Sequence, residues 1–596
     1  MFLQRLGILY LNVNFNKKLY FRPSKKTRMK YCIALVFISL QLSYAQQPMI
    51  GAKGKINPYN YTIVKQKNFA NAAVSSAHPI ASLVGAEIMK QGGNAFDAAI
   101  AVQYALAVVY PGAGNIGGGG FMVARKKNGE TLALDYRETA PSTSTRDMYL
   151  DKDGKAIDKL SKQGRLAAGV PGTVAGLFET YKHAKLAMAT LIQPAIDLAE
   201  FGFVITKGEA SSLNAHKQDF INNNTQLPAF VKSTEWKAGD TLIQKDLAET
   251  LKRIKANGQS GFYNGVTAEL INGEMGNGGI ISLADLKNYK AVWRKNLSFD
   301  YKGNKIIGMS PPSSGGVIIW QLMKMIEKRN IAKKGFHSLS AVQLMVETER
   351  RAYADRAEHL GDPDFYKVPI KTITSDAYIN KRMENFDSTK PTPSIEIKAG
   401  EAKESEQTTH LSIIDKEGNM VSVTTTLNGG YGSFTVVGGA GFLLNNEMDD
   451  FSVKPGTPNM YGAIGGEANA IEPNKRMLSS MTPTLVLKNN KPFIVLGTPG
   501  GTTIPTSVFQ TLVNILEFKM SAADAVNKPK FHHQWLPDVV MVEEKMDDAT
   551  KKGLIRMGYT IKERQAIGRT EVIKILPNGI KDAAADIRGD DSVAGF

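Results

Sequence analysis

The chain has 596 residues, 43% of them hydrophobic and 22% charged, which is ordinary globular composition and length enough for one large continuous core. The formal net charge is +17, yet eight of the positive charges (Arg5, Lys17, Lys18, Arg22, Lys25, Lys26, Arg28 and Lys30) fall in the first 45 residues, which contain no acidic residue. The remaining excess is thin and unclustered, which argues against a nucleic-acid-binding stripe, and no low-complexity tract or solenoid repeat is present.

Met29-Lys30 is followed by an apolar run from Ile33 to Leu42 and by Ser43-Tyr44-Ala45. That order of charge, short apolar core and small residues is a secretory signal cut after Ala45, with Met29 as the expected start and residues 1–28 as an extension. An uncleaved N-terminal anchor is the alternative. The only cysteine, Cys32, lies inside the signal, so the mature chain is expected to have neither a disulfide nor thiol catalysis. No later segment has 18 uninterrupted apolar residues, and export to the outside or to a periplasm is the expected fate.

Helical spacing of Ala, Val, Ile, Leu and Met runs from Ser76-Ala77-His78-Pro79 to Gln91, breaks at Gly92-Gly93-Asn94 and resumes from Ala95 to Val109. A glycine-rich run, Gly112 to Gly120, leads into a predicted strand at Phe121–Ala124, and a second strand spans Thr131–Tyr136 and ends at Arg137. The glycine run lacks the Lys-Ser/Thr of a phosphate-binding loop and the spacing of a dinucleotide fingerprint, so it predicts close backbone packing, not a cofactor site. Residues 170–295 read as mostly helical. Residues 388–407, rich in Lys and Glu, read as an exposed connector.

After Thr408 the pattern changes. Leu411–Asp415 and Met420–Leu427 predict a hairpin around Glu417-Gly418-Asn419. Thr484–Leu487 and Phe493–Leu496 predict two more strands, the second running into Gly497-Thr498-Pro499-Gly500-Gly501. A helix with Val508, Leu512 and Ile515 on its core face follows. Strands flanked by helices with several hairpins predict a layered α/β fold with mainly antiparallel sheets.

Gln407-Thr408-Thr409-His410-Leu411-Ser412 sits where the connector meets the first of these strands, and alone it reads as β-propensity. Four further segments lie beside predicted strands: Thr424–Asn428, Leu444–Phe451, Asn474–Pro483 and Gly497–Gly501. With Ala77-His78-Pro79, Asn94–Ala99, Asp135–Glu138 and Phe531–Pro537, they closely resemble γ-glutamyltranspeptidase, a family of N-terminal-nucleophile hydrolases, over most of the mature chain. The resemblance implies a four-layer αββα sandwich with two central, mainly antiparallel sheets. It also implies a precursor that cuts itself into 46–407 and 408–596, two subunits that pair as a heterodimer around one core.

The chemistry is coherent. A Thr hydroxyl is a weak nucleophile and needs a base, and no Ser-His-Asp arrangement or metal-ligand spacing offers one. The α-amine of a chain terminus has a pKa near ~8 and can serve, but Thr408 acquires that amine only if the Gln407–Thr408 bond is cut. Attack of the Thr408 hydroxyl on the Gln407 carbonyl would make that cut. The resemblance implies that Thr426 orients Thr408, that the Gly500 and Gly501 amides form an oxyanion hole, and that Arg137 with Ser479 and Ser480 holds a substrate α-carboxylate. It assigns Asn428, Glu447 and Asp450 to the α-ammonium, and Tyr461 to the tip of a lid over residues 455–466. No cofactor and no metal are implied.

Plainer readings stand beside these. Arg137 could be a surface ion pair, Ser479-Ser480 a cap or turn, and Glu447 a solvated charge. His532-His533 reads as structural. The predicted activity is transfer of a γ-glutamyl group from glutathione and its conjugates to water, amino acids or peptides. The alternatives are a cephalosporin-acylase-like amidase and an inactive secreted binding protein on the same fold.

Overall fold

The computed structural model describes residues 49–50, 55–157, 159–397, 408–457, 459–460 and 465–596. The signal with Cys32 and Ala45, the residue Gln407, and Tyr461 at the expected lid tip lie outside the described residues.

Two seven-stranded sheets form the centre. One runs in the spatial order Ser592–Gly595, Ala73–Ser76, Thr409–Ile414, Met420–Thr426, Gly119–Arg125, Thr131–Asp135, Val292–Arg294; the other runs Gln66–Phe69, Lys581–Ala585, Glu571–Ile575, Lys491–Gly497, Thr484–Lys488, Asn304–Gly308, Leu297–Tyr301. Every ladder within both is antiparallel.

Both faces of each sheet are covered, and the period-two alternation of strands shows how. In the first sheet Phe121, Val123 and Ile414 point into a shared inner core. In the second, Leu485, Leu487, Val495 and Ile573 meet them there. Their neighbours point outward. Met122, Ala124, Leu411, Ile413, Val421 and Val423 pack under the helices Pro79–Lys90 and Ala95–Val109. Val486, Ile494, Leu496 and Val572 pack under the helices Gly315–Glu327, Leu339–His359 and Thr503–Leu516. The result is the expected αββα sandwich.

Local chemistry explains the helix starts. His78 caps the first helix through its ring nitrogen and Pro79 follows at the first turn. Asn94 and Asp97 form a reciprocal capping box for the second. The glycine run packs as expected. A methyl group on Gly117 would lie 2.1 Å from the Leu443 carbonyl oxygen, and one on Gly118 would lie 2.1 Å from that of Thr426.

The connector reading needs correction for its first part. Thr392, Ser394 and Ile397 are buried, and Ser394–Ile397 is a short 3-10 turn. The Thr392 hydroxyl accepts from Arg351 at 2.9 Å, the Ser394 hydroxyl donates to the Trp535 carbonyl at 2.5 Å, and the Ser394 amide donates to Asp538 at 2.7 Å. Polar residues here satisfy buried polar groups, which a count of polarity reads as exposure. Residues 398–407 lie outside the described residues.

Candidate active site

Thr408 stands immediately before the strand Thr409–Ile414. That strand pairs with Met420–Thr426 in the register Thr409↔Thr425. One further step of the same antiparallel register sets Thr408 opposite Thr426, with both side chains on one face. Both line a small cleft together with Arg137, Asn428, Asp450, Ser479, Ser480 and Gly501. Thr408 is 5% exposed.

The strand end is fixed by its neighbours. The Thr426 hydroxyl accepts from the Asn428 amide at 2.7 Å, and its carbonyl accepts from the Asn115 side chain at 2.8 Å. Asn428 has φ +74, a left-handed conformation that Asn tolerates well, and this turns the chain so that Asn428 also reaches the cleft.

Opposite lies the turn Gly500-Gly501, with φ of +139 and +52. It leads directly into the helix Thr503–Leu516, whose first amides are closed by the Gly500 and Gly501 carbonyls. Backbone N–H groups ahead of a helix N-terminus are favourable donors to developing negative charge. Gly501 lines the cleft; Gly500 sits one residue behind the lining.

Among the described residues no histidine, cysteine or lysine lines the cleft. His410, two residues from Thr408, is fully buried. Its ring nitrogens are engaged by the Thr424 and Ser412 hydroxyls at 2.9 and 3.1 Å, and burial pushes its pKa down to about 3. It is a neutral structural group between the sheets. His532 and His533 are likewise held by protein groups, Thr506 at 2.8 Å and the Trp535 amide at 2.9 Å. Among the described residues no cluster of His, Cys, Asp and Glu could hold a metal ion.

Charge in the site is organised around Arg137, which is fully buried and not a surface pair. Its guanidinium donates to Asp450 at 2.5 Å and to the Met477 and Leu478 carbonyls at 3.3 and 3.4 Å; it also pairs with Glu447, and Glu138 lies 3.5 Å away. Three carboxyl groups thus share one guanidinium. Burial raises all three. It takes Glu447 well above the carboxylate range and Glu138 to about 8, against the pull of Arg137. Asp450 feels two guanidiniums, Arg137 and Arg356, and is the member best able to keep the charge.

Glu447 is therefore neither a solvated charge nor part of the cleft lining. It is 0% exposed and faces Arg137 from behind. The Asp450 carboxylate also accepts from Asn459 at 3.0 Å. The Ser479 hydroxyl accepts from the Met481 amide at 3.2 Å, so the serine pair is a turn as well as part of the lining. The sequence reading missed Arg356, which lines the cleft from the helix Leu339–His359. No local motif announces it.

The family model for gamma-glutamyltranspeptidase matches residues 81–596. The chain is 47% identical over 530 residues to the glutathione hydrolase proenzyme of Escherichia coli K12, covering 88% of this chain and 91% of that one. The solved gamma-glutamyltranspeptidase of Helicobacter pylori is 43% identical and superposes with a TM-score of 0.54 over 57% of this chain and 96% of its own. A cephalosporin acylase from Bacillus halodurans superposes with a TM-score of 0.79 at 24% identity, over 92% of this chain and 99% of its own, a likeness of fold alone.

Proposed function

The chain belongs to the γ-glutamyltranspeptidase family and is an autoprocessing glutathione hydrolase, and on that premise we propose that Thr408 is both the residue that cuts the precursor and the nucleophile of the mature enzyme. One observation carries this. The cleft holds a threonine at a strand start and, apart from an Asp already paired with Arg137, no side chain able to act as a base among the described residues. A threonine in such a place needs its own α-amine, and cleavage before residue 408 supplies it.

In the precursor the Thr408 hydroxyl attacks the Gln407 carbonyl, and the resulting ester is opened by water. In the mature enzyme the freed amine takes the hydroxyl proton as Thr408 attacks the γ-amide carbonyl of the donor. The oxyanion meets the amides of Gly500 and Gly501. Thr426 keeps the hydroxyl aligned, the leaving amine departs protonated, and the γ-glutamyl ester passes to water, an amino acid or a peptide. Asp450 and Asn428 receive the donor's α-ammonium; Arg137, Ser479 and Ser480 face its α-carboxylate. Glu447 acts through Arg137 and not by contact. The signal reading, with its cut after Ala45 and export, belongs to this proposal. Among the described residues no helix is long and apolar enough to cross a membrane.

The test is a pair of anilide donors, γ-glutamyl and glutaryl, which differ only in the α-ammonium. A charge-assisted hydrogen bond is typically worth ~1.5–3 kcal/mol, or roughly ten- to over a hundredfold in kcat/KM. The γ-glutamyl donor is expected to be preferred by about that factor, and Asp450→Asn to remove most of the preference. Equal rates on both donors in the unsubstituted enzyme would support the acylase alternative.

A further inference from the structure

The core between the two sheets is apolar over most of its length and turns cationic at one end. Phe121, Val123 and Ala133 of the first sheet meet Ile307, Leu485 and Leu487 of the second. Two residues on from Val123 the same face carries Arg125, and two residues before Ile307 it carries Lys305. These two cations line an open cavity of about 400 Å³ whose apolar part is Ile307 and Leu487. The cavity lies away from the Thr408 cleft. Gly119 pairs with Thr426 at the site end of its strand, and Arg125 closes the other end, roughly 20 Å along.

Arg125 is 8% exposed. Its Nη1 donates to the Lys126 and Gly418 carbonyls at 3.1 and 3.5 Å and its Nη2 to the Asn490 carbonyl at 3.2 Å, while Nε has no partner. All of these acceptors are neutral. Among the described residues no carboxylate lies within 4.0 Å of the Arg125 guanidinium or the Lys305 ammonium. Glu130 pairs instead with Lys126 at 2.8 Å, and Glu417 with Lys127 at 2.9 Å. Asp300 stands opposite Lys305 in the strand register, but it is exposed and makes no ion pair with it. Burial strips water from a guanidinium, so one left without a counter-charge is costly, and desolvation lowers the Arg125 pKa.

The rest of the wall offers neutral donors. The Ser298 hydroxyl and the Asn128 side-chain nitrogen have no partner among the described residues. The Thr131 hydroxyl accepts from Asn296 at 2.8 Å, which leaves its proton to give.

We propose that this cavity binds a small tetrahedral oxyanion of the phosphate class, held between Arg125 of one sheet and Lys305 of the other. The donors come from both sheets and from a hairpin end, so they surround the cavity and do not share a plane. That suits four oxygens arranged tetrahedrally better than a planar carboxylate. The bound anion would answer the buried guanidinium and tie the two sheets together at the end where neither is closed by the Thr408 cleft. Nothing in this site depends on the chemistry at Thr408.

The experiment titrates the cleaved protein with sodium phosphate near neutral pH at constant ionic strength, by calorimetry and by melting temperature, with sodium acetate and sodium chloride as parallel arms. Saturable phosphate binding is expected, with a rise in melting temperature that chloride does not give. Lys305→Gln, at a half-buried position, is expected to raise the phosphate Kd by about tenfold or more. Asp300→Asn should lower it, since it removes the negative charge opposite Lys305. Cleavage before Thr408 and turnover of a γ-glutamyl donor should be unchanged in both. Arg125→Gln should abolish binding; if it fails to fold, Lys305→Gln alone decides. An equal phosphate Kd in the unsubstituted protein and Lys305→Gln overturns the proposal, because phosphate held in the Thr408 cleft would give that result. The absence of saturable binding, or acetate bound as tightly as phosphate, overturns it equally.

Discussion

At the scale of residues, the site sets Arg137 among three buried acids and lets burial and the neighbouring guanidiniums decide which of them ionise. Glu138 illustrates the consequence. Its carboxyl is raised to about 8 in the fold, against about 4.5 for a free glutamic acid. Between those values the folded protein holds a proton that the unfolded chain releases, so this group's contribution to stability is full below about pH 4.5 and is lost as pH rises through about 8. Glu138→Gln cannot ionise, and its unfolding midpoint is expected to fall less steeply over that range than that of the unsubstituted protein. Thermal melts at several pH values check this; parallel curves would show that Glu138 is already ionised in the fold. Much of this was legible as residue identity, since Arg137, Asp450 and Asn428 all reach the cleft. What was not legible was the arrangement of charge. Glu447 and Asp450 are three positions apart in one short turn, yet one faces the cleft and the other the back of Arg137. Arg356 was missed because its place in the cleft depends on how a long helix packs, which no local pattern encodes.

At the scale of elements, the Thr409–Thr426 hairpin was legible because its alternation is regular and Gly418, at φ +84, closes a tight turn. The strand Ser592–Gly595 was not. Four small or short side chains carry little pattern, and its position comes from distant partners such as the Ala73–Ser76 strand. The glycine run shows an element serving the site at one remove. Gly118 lies against the Thr426 carbonyl so closely that a methyl group would sit 2.1 Å from it, and the Asn115 side chain crowds the same spot at 2.8 Å. Gly118→Ala must therefore push the end of the Thr426 strand away from Thr408. Overpacking of this kind typically costs ~1–3 kcal/mol. The variant is expected to fold with a lowered melting temperature and to cleave itself much more slowly, followed on a gel after expression. Normal cleavage with unchanged melting would mean that the strand end is freer than its packing implies.

At the scale of the whole molecule, residues before and after Thr408 alternate within both sheets. In one, Ala73–Ser76 lies between Ser592–Gly595 and Thr409–Ile414; in the other, Gln66–Phe69 and the strand pair Leu297–Tyr301 and Asn304–Gly308 flank four strands from beyond Thr408. A cut at that point removes one covalent bond and, among the described residues, none of the ladder pairs, which begin at Thr409. The two products are expected to co-purify and to run as one species on native size exclusion without any disulfide, separating only under denaturing conditions. Separation in native buffer would contradict the interleaving. The central claim is that one hydroxyl performs both maturation and catalysis, and intact mass spectrometry of the purified protein beside its Thr408→Ala variant tests it most directly. The account predicts a smaller chain beginning at Thr408 in the first and a single uncut chain in the second. A Thr408→Ala protein still cut between Gln407 and residue 408 would contradict it.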